Sequence, residues 1–292
     1  NILRKKVFLY SFVLILVILQ FSRDAQEYIT DGQAALKAAH EATDPQVKKQ
    51  NYDRAERNLR AAYVKAKDNV LREEVLFMML DMYLETQDWP FIMACWDEII
   101  NIKSDNVKAR YGRIRYLHIL GKSGTSGLWQ RVSEETTEFL KVAEEQGILM
   151  EQTAQWDVPG IEQDRDSRQY LGPYLYLLRG IASIEMATSG AATNKDEVLE
   201  KAINDIKAAQ QLDPGNIDTY WHLARAVISR GEILASRGNF EEKEKSTEQA
   251  KGFLEEAVRI SDTNPKAHLN LLQFNLILAR DSGSENKYEN IR

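Results

Sequence analysis

Cysteine, proline and glycine are scarce in this sequence. Of its 292 residues, 1 is cysteine, 6 are proline and 15 are glycine. A single cysteine excludes a disulfide within the chain, and Cys95 lies in the apolar stretch FIMACWDEII, which indicates a small buried side chain rather than a reactive thiol. Proline and glycine are the residues that most disfavour helices, and Ala, Leu, Glu, Lys and Gln are plentiful, so we expect helices throughout.

An excess of basic charge is also lacking. The chain carries 38 basic and 44 acidic residues, which gives a formal net charge of −6, and both signs are mixed along its length. Nucleic acid attracts proteins through clustered Lys and Arg side chains. Nucleic acid is therefore not expected as a partner.

Motifs that carry chemistry are missing as well. The four histidines are widely spaced, and none has a cysteine or a second histidine at ligand spacing: His40, His118, His222 and His268. Asp218 and His222 are four residues apart and could share a metal ion, but a solvated pair on a helix surface is the favoured interpretation. Residues 121–127 (GKSGTSG) resemble a phosphate-binding loop superficially, yet their spacing is wrong, so we interpret them as a flexible connector. We therefore expect no enzyme activity, cofactor, metal or small-molecule substrate.

One long hydrophobic run is present, near the N-terminus. Residues 7–21 (VFLYSFVLILVILQF) contain no charge and follow the basic residues 4–6. As a helix they would extend about 22 Å, and the apolar residues 2–3 can lengthen it toward the roughly 30 Å of a hydrocarbon core. No small-residue cleavage site follows, so we expect residues 1–23 to be a transmembrane signal-anchor, with a cleaved signal peptide as the alternative.

The flanking charges orient this segment. Basic residues cluster before it, while Arg23 and Asp24 nearly cancel after it. Because cytoplasmic flanks carry the excess of Lys and Arg, we expect the N-terminus in the cytoplasm and the rest of the chain outside it, in the periplasm of a bacterium. The lipid bilayer would then be contacted through residues 7–21.

Helical patterns recur along the rest of the chain. Leu76, Met79, Leu80 and Tyr83 lie at i, i+3, i+4 and i+7, so they share one face of a helix. A second helix pattern follows, and the next first-helix pattern contains Arg110, 34 residues after Leu76. A fixed period of this length is typical of helical repeat proteins.

The most specific stretch is residues 202–216 (AINDIKAAQQLDPGN), which precedes a helix pattern of Tyr220, Leu223, Ala224 and Val227. These residues resemble the tetratricopeptide repeat, whose pattern is W-x2-L-G-x2-Y, then A-x3-F-x2-A, then P. The resemblance implies antiparallel helical pairs that stack into a right-handed superhelix with a concave face.

The predicted fold is therefore an all-α solenoid of about five tetratricopeptide-type repeats and a capping helix over residues 24–281, preceded by one transmembrane helix. Residues 282–292 are expected to form a polar C-terminal tail. Two departures from the repeat are expected, a loop inserted around residues 43–50 and additional residues around 233–245.

In this family the first helix of each pair lines a partner-binding groove. The resemblance implies that the following residues form this groove: Glu74, Phe77, Asp81, Lys108, Tyr111, Arg115, Asp218, Trp221, Arg225, Lys266 and Gln273. Aromatic and arginine side chains are effective anchors for a protein partner. The alternative for Phe77, Tyr111 and Trp221 is packing between neighbouring helices. The Lys and Asn arrangement with which some members clamp a terminal carboxylate is not evident.

An insert at residues 147–168 is a second candidate for partner binding. It combines Trp156 and Asp157 with further acidic residues, and long loops in compact folds are often functional. We expect this loop to dock on a partner, with folding back onto the helices as the alternative.

These features favour a membrane-anchored scaffold that recruits other proteins into a larger membrane-associated assembly. The first alternative is an adaptor that binds peptides or cargo transiently in secretion or envelope biogenesis. The second is the regulatory or targeting end of a longer polypeptide.

Overall fold

Helices account for almost all of the part of the chain that the computed structural model describes, residues 23–124, 127–156 and 170–281. Eleven α-helices follow one another in these residues: α1 (Ala25–Glu41), α2 (Pro45–Lys65), α3 (Asn69–Thr86), α4 (Trp89–Ile102), α5 (Val107–Lys122), α6 (Leu128–Gln146), α7 (Leu171–Thr188), α8 (Lys195–Leu212), α9 (Ile217–Ser236), α10 (Phe240–Ile260) and α11 (Pro265–Asp281). The same residues contain one short 3-10 helix and one β-bridge but no strand. The expected all-α fold is confirmed for this part of the chain.

Successive helices pair as antiparallel hairpins. Tyr220 near the start of α9 shares a core cluster with Ala257 near the end of α10, and Gly231 near the end of α9 lies against Ser246 near the start of α10. Contacts of the same kind join α1 to α2, α3 to α4, α5 to α6 and α7 to α8. The described helices therefore form five hairpins followed by the single helix α11, which agrees with the prediction of five repeats and a final helix.

The helices fall into two compact units. Within the described residues, unit 1 comprises residues 23–112 and unit 2 comprises residues 113–281, so the boundary lies within α5. The prediction of one solenoid over residues 24–281 depends on how these two units are arranged, and it stays a prediction.

The core of unit 1 lies among α2, α3 and α4. Leu59, Leu80, Ile92 and Trp96 are completely inaccessible to solvent. Cys95, the neighbour of Trp96, is also buried, and burial raises the pKa of its thiol to about 12. The interpretation of Cys95 as a small buried side chain is thereby confirmed.

The core of unit 2 is centred on the sequence motif that carries the family resemblance. Ala202, Ile206 and Ala209 of α8 are completely buried, and they share one cluster with side chains from α7 and α9. After the turn that follows α8, the side chain of Asn216 accepts a hydrogen bond from the backbone N–H of Asp218 at 3.1 Å and so begins α9. The motif therefore packs one hairpin against the first helix of the next.

Two segments expected to depart from the repeat are helical. Residues 45–50 form the first turns of α2 rather than a loop. The carboxylate of Asp44 accepts hydrogen bonds at 2.7 and 3.1 Å from two backbone N–H groups of this first turn, and Pro45 suits the first helical position. The additional residues at 233–245 lengthen α9 to 20 residues and α10 to 21 residues and leave only a short turn between them.

The last helix differs from a typical cap. One face of α11 packs on unit 2 through the buried side chains of Ala267 and Phe274. Its other face leaves large apolar side chains exposed at helical spacing: Leu269, Leu272, Leu276 and Ile277. Capping elements of helical repeats usually present a polar outer face.

None of the described helices has the length and apolar character needed to cross a membrane. The expected transmembrane segment, apart from Arg23, lies outside the described residues, as does the expected tail at 282–292. The first described helix follows Asp24, whose carboxylate accepts a hydrogen bond from the backbone N–H of Glu27 at 2.9 Å.

The close approach of α7 and α8 at Gly180 gives a stability prediction. A Cβ atom at this position would overlap Ile206 Cγ1 and lie 3.1 Å from the backbone oxygen of Ala202, which cannot move without disturbing α8. We expect Gly180→Ala to lower the free energy of unfolding by about 1–3 kcal/mol, because the packed helices must separate. Urea unfolding of the detergent-solubilised protein, followed by far-UV circular dichroism, measures the change.

Gly252→Ala in α10 is the matched control. A Cβ atom at Gly252 meets nothing within 4 Å, so the same substitution should raise the free energy of unfolding by about 0.5–1 kcal/mol through its helix propensity. A Gly180→Ala variant that is as stable as the Gly252→Ala variant would contradict the close packing of α7 on α8.

Candidate functional site

The first helices of successive hairpins are linked by ion pairs in unit 2. Arg225 of α9 donates a hydrogen bond to Glu185 of α7, with Nη2 and Oε1 2.8 Å apart. Lys266 of α11 forms an ion pair with Asp218 of α9, with Nζ and Oδ1 2.6 Å apart. Three of the predicted groove residues, Asp218, Arg225 and Lys266, therefore lie in one row that crosses α7, α9 and α11.

These ion pairs contribute little to stability. The side chains of Arg225 and Glu185 keep 32% and 29% exposure, and those of Lys266 and Asp218 keep 58% and 39%. Pairs at such a surface contribute about 0.2–1 kcal/mol each, because water screens the two charges. They join first helices whose positions are set by the buried core.

Helix α5 adds further basic residues to this region. The guanidinium carbon of Arg115, another predicted groove residue, lies 5.8 Å from the ring centroid of Tyr174 in α7, within the range of a cation–π interaction. His118 and Lys122 follow at i+3 and i+7 from Arg115, so the three side chains share one side of α5. Lys122 is exposed and forms no ion pair within the described part of the chain.

Two histidines lie among these cations and are held neutral. Burial, together with the charges of Arg225, Lys122 and Lys266, lowers the pKa of His222 to about 3. Burial, together with the charges of Lys122 and Arg115, likewise lowers the pKa of His118 to about 3. The charge of Lys122 contributes to both shifts, so Lys122 lies near enough to each ring to disfavour its protonation.

Both rings contain a buried nitrogen without a partner. His118 Nε2 and His222 Nδ1 are inaccessible to solvent and make no hydrogen bond with any described residue. The indole of Trp129 in α6 lies beside the His118 ring, with the two centroids 5.9 Å apart. Buried polar atoms of this kind are uncommon in proteins, and they often mark a ligand or a functional role.

We refer to the following residues together as the basic face of unit 2: Arg115, His118, Lys122, His222, Arg225 and Lys266. The prediction from the sequence included three of its members, but not His118, Lys122 or His222. The favoured interpretation of Asp218 and His222 as a solvated pair also differs from the structure, since Asp218 pairs with Lys266 and the His222 ring is largely buried. Each histidine lies one helical turn from a predicted groove residue: His118 from Arg115, and His222 from Arg225. This spacing in the sequence could have identified both histidines.

The remaining predicted groove residues of unit 2 lie near this face. Trp221 is half-buried and packs against the cluster that contains Ala224, Leu254 and Phe274. Its position agrees with the alternative of packing between neighbouring helices. Gln273 is exposed on α11.

The predicted groove residues of unit 1 combine exposed and packed side chains. Glu74 and Asp81 are exposed on α3. Phe77 packs edge-to-face on the buried Trp96 of α4, with ring centroids 6.0 Å apart. Lys108 Nζ lies 4.8 Å from the centroid of the Phe77 ring.

Tyr111, the last of the unit 1 set, is buried with 5% exposure. Together with the contact of Phe77 on α4, this burial favours the alternative in which the aromatic side chains of unit 1 pack between helices. Their role in partner binding stays a prediction.

The insert at residues 147–168 is partly described. Its ends are joined, because the N–H of Leu171 donates to the oxygen of Glu151 at 2.9 Å and that of Gly172 donates to the oxygen of Leu149 at 2.6 Å. Trp156 is half-buried at the end of the short 3-10 helix Thr153–Gln155. Asp157 lies outside the described residues. Docking of this loop on a partner stays a prediction.

The described residues contain no evident metal-binding site. They contain no group of three or more His, Cys, Asp or Glu side chains placed to hold a metal ion. Asp218 and His222, the pair that could share a metal, do not form part of such a group.

Neither a protein-family model nor a curated protein matches the chain. Among solved structures, the chain is similar to MamA residues 41 to the end from Desulfovibrio magneticus RS-1, with 17% identity and a TM-score of 0.44. It is also similar to the MamA RS-1 ArsTM double mutant, with 15% identity and a TM-score of 0.42. Both comparisons cover 82% of this chain and 97% of the other. The identities and TM-scores of both similarities are low. The fold is therefore described from the packing of this chain's own helices and not from these two structures.

The two half-buried histidines, His118 and His222, predict how stability depends on pH. Their pKa values fall from the ordinary 6.5 to about 3 on folding, so the unfolded chain binds more protons as the pH drops. Their contribution is complete above about pH 6.5 and is lost as the pH falls toward about 3. Between about pH 7 and about pH 5, we expect the free energy of unfolding to fall by about 1–2 kcal/mol for each histidine.

The double variant His118→Gln, His222→Gln should show a flatter dependence over the same range, measured by chemical unfolding at each pH. His268→Gln is the matched control, since the His268 side chain is exposed, and it should keep the slope of the parent protein. Equal slopes for the parent and the double variant would show that the rings do not remain neutral in the folded protein.

Proposed function

We propose that this protein is a non-enzymatic, membrane-anchored scaffold that binds other proteins and organises them in a larger membrane-associated assembly. The proposal is supported mainly by the first helices of the hairpins in unit 2. Ion pairs link these helices to one another, and their side chains form the basic face. A surface fixed in this way can bind a partner without a large loss of conformational entropy. The five hairpins and the repeat motif at Ala202 support a tetratricopeptide-type solenoid as the scaffold.

Membrane attachment is the second part of the proposal. It is supported by the sequence of residues 7–21, which has no charge and follows a basic flank. The N-terminus is proposed to lie in the cytoplasm, with both units on the extracytoplasmic side. In this arrangement the scaffold would gather its partners at the membrane surface.

Cross-linking tests the scaffold. Intact cells are cross-linked, membranes are extracted in mild detergent, and the proteins that co-purify with the chain are identified by mass spectrometry. We expect a reproducible set of partners with cross-links at or beside the basic face. Recovery of the chain alone would contradict a stable scaffold and favour the transient cargo-binding adaptor.

The anchor predicts a change in membrane retention. We expect the double variant Leu14→Arg, Leu16→Arg to lose most of its retention in carbonate-washed membranes, because each Arg costs about 2.5–3.5 kcal/mol at the centre of a membrane helix. The fraction of the chain in the pellet, measured by immunoblotting, reports the loss.

The matched control is Val64→Arg, Val70→Arg, which makes the same kind of change at two described positions that are each 78% exposed. This control should remain in the pellet with the parent protein. A double variant at positions 14 and 16 that is retained as fully as the control would rule out insertion of residues 7–21.

A further inference from the structure

The last described helix, α11, has an apolar stripe that is open to solvent. One side of this helix packs on unit 2 through Ala267 and Phe274. The other side carries four large apolar side chains at helical spacing, with the following exposures: Leu269 51%, Leu272 43%, Leu276 47% and Ile277 54%. Contiguous exposed apolar side chains of this kind usually mark a surface that another element covers.

The equivalent stripe of α9 shows what covers such a surface. Asn216 and Asn264 begin α9 and α11 in the same way, because each side chain accepts a hydrogen bond from the backbone N–H two residues later, at 3.1 Å and 2.9 Å. When the helices are aligned at these two residues, the stripe residues Leu269, Leu272 and Leu276 correspond to three residues of α9: Trp221, Ala224 and Ile228. All three pack in one cluster with Leu254 of α10 and Phe274 of α11. The stripe on α11 is therefore the side on which the second helix of a hairpin packs.

The residues that follow α11 match the turns after earlier first helices. In α5, α7 and α9, the second residue after the helix is a glycine with positive φ: Gly124 at 90°, Gly190 at 83° and Gly238 at 92°. None of the second helices in the five described hairpins has such a glycine at this position. Gly283 is the second residue after the end of α11. Because glycine adopts positive φ without strain, it allows the chain to leave a helix and reverse.

The register of the hairpin α9–α10 indicates which residues would meet after this turn. Gly231 of α9 lies against Ser246 of α10, and these two residues are seven before and eight after the glycine of their turn. The same offsets from Gly283 give Leu276 and Ile291. An isoleucine therefore falls opposite an exposed leucine of the stripe.

Residues 285–292 (ENKYENIR) have one apolar side when read as a helix. Tyr288 and Ile291 are three residues apart and share that side, while the other residues are polar or charged. Ser284 precedes them, at the position where the side chain of Asn239 caps α10 by accepting a backbone hydrogen bond at 3.3 Å. Serine and asparagine are both preferred at the start of a helix.

We propose that residues 285–292 form a helix that packs antiparallel on the apolar stripe of α11, with Ile291 against Leu276. Helix α11 is then the first helix of a sixth hairpin, and residues 282–284 are its turn rather than part of the polar tail expected from the sequence. Eight helical residues extend about 12 Å, which reaches the end of the stripe that contains Leu276 and Ile277. The inference does not depend on the proposed scaffold, since it concerns a contact within the chain.

Disulfide formation in the full chain in lipid nanodiscs tests this register. Leu276→Cys is combined with Ile291→Cys or, as the matched control, with Asn290→Cys, which lies on another side of the same helix. Both variants are oxidised with copper phenanthroline. We expect the pair 276 and 291 to form an intramolecular disulfide at least about tenfold faster, because the bond requires Cβ atoms about 3.5–4.5 Å apart. Cys95 is buried and does not compete.

Equal rates for the two pairs would overturn the proposal, since they would show that no side of residues 285–292 faces α11. A disulfide between two chains, identified on a non-reducing gel, would also overturn it and would assign the stripe to a second copy of the protein.

Thiol reactivity tests whether the stripe is covered. The single variant Leu276→Cys should react slowly with N-ethylmaleimide. Adding Tyr288→Asp and Ile291→Asp should raise this rate about tenfold, because carboxylates are not buried against leucine side chains without a large cost. Adding Asn286→Asp and Asn290→Asp instead places the same charges on the other side of the helix and should leave the rate within about twofold. The same rate in both sets of variants would contradict coverage of the stripe by residues 285–292.

Discussion

Each helix of this protein buries its apolar face only by packing against the next one, and the rest of the structure depends on that constraint. Where two helices of a hairpin come closest, a small residue is required. Gly32 lies against Leu59, Gly180 against the α8 backbone, and Gly231 against α10. The helices can therefore neither rotate nor slide freely against each other, so the side chains on the opposite side of each first helix keep a fixed register.

That register determines the basic face. The ion pairs of Arg225 and Lys266 are individually weak, but they join first helices that the core has already placed side by side. His118 and His222 remain neutral among these cations because packing keeps water away from their rings. A site of this kind is maintained by the stability of the hairpins rather than by its own interactions.

The sequence predicts the local features of the fold well. The motif at Ala202 identifies a helix whose apolar face lies in the core of unit 2, and the number of hairpins follows from the recurring pattern. The sequence prediction placed a loop where α2 begins, because polar residues next to a proline also suit a loop. In the structure the helix begins there because the carboxylate of Asp44 caps its first turn. The histidines of the basic face were missed for a different reason. They are 104 positions apart in the sequence (222 − 118), and only the packing of α5, α7 and α9 brings them together.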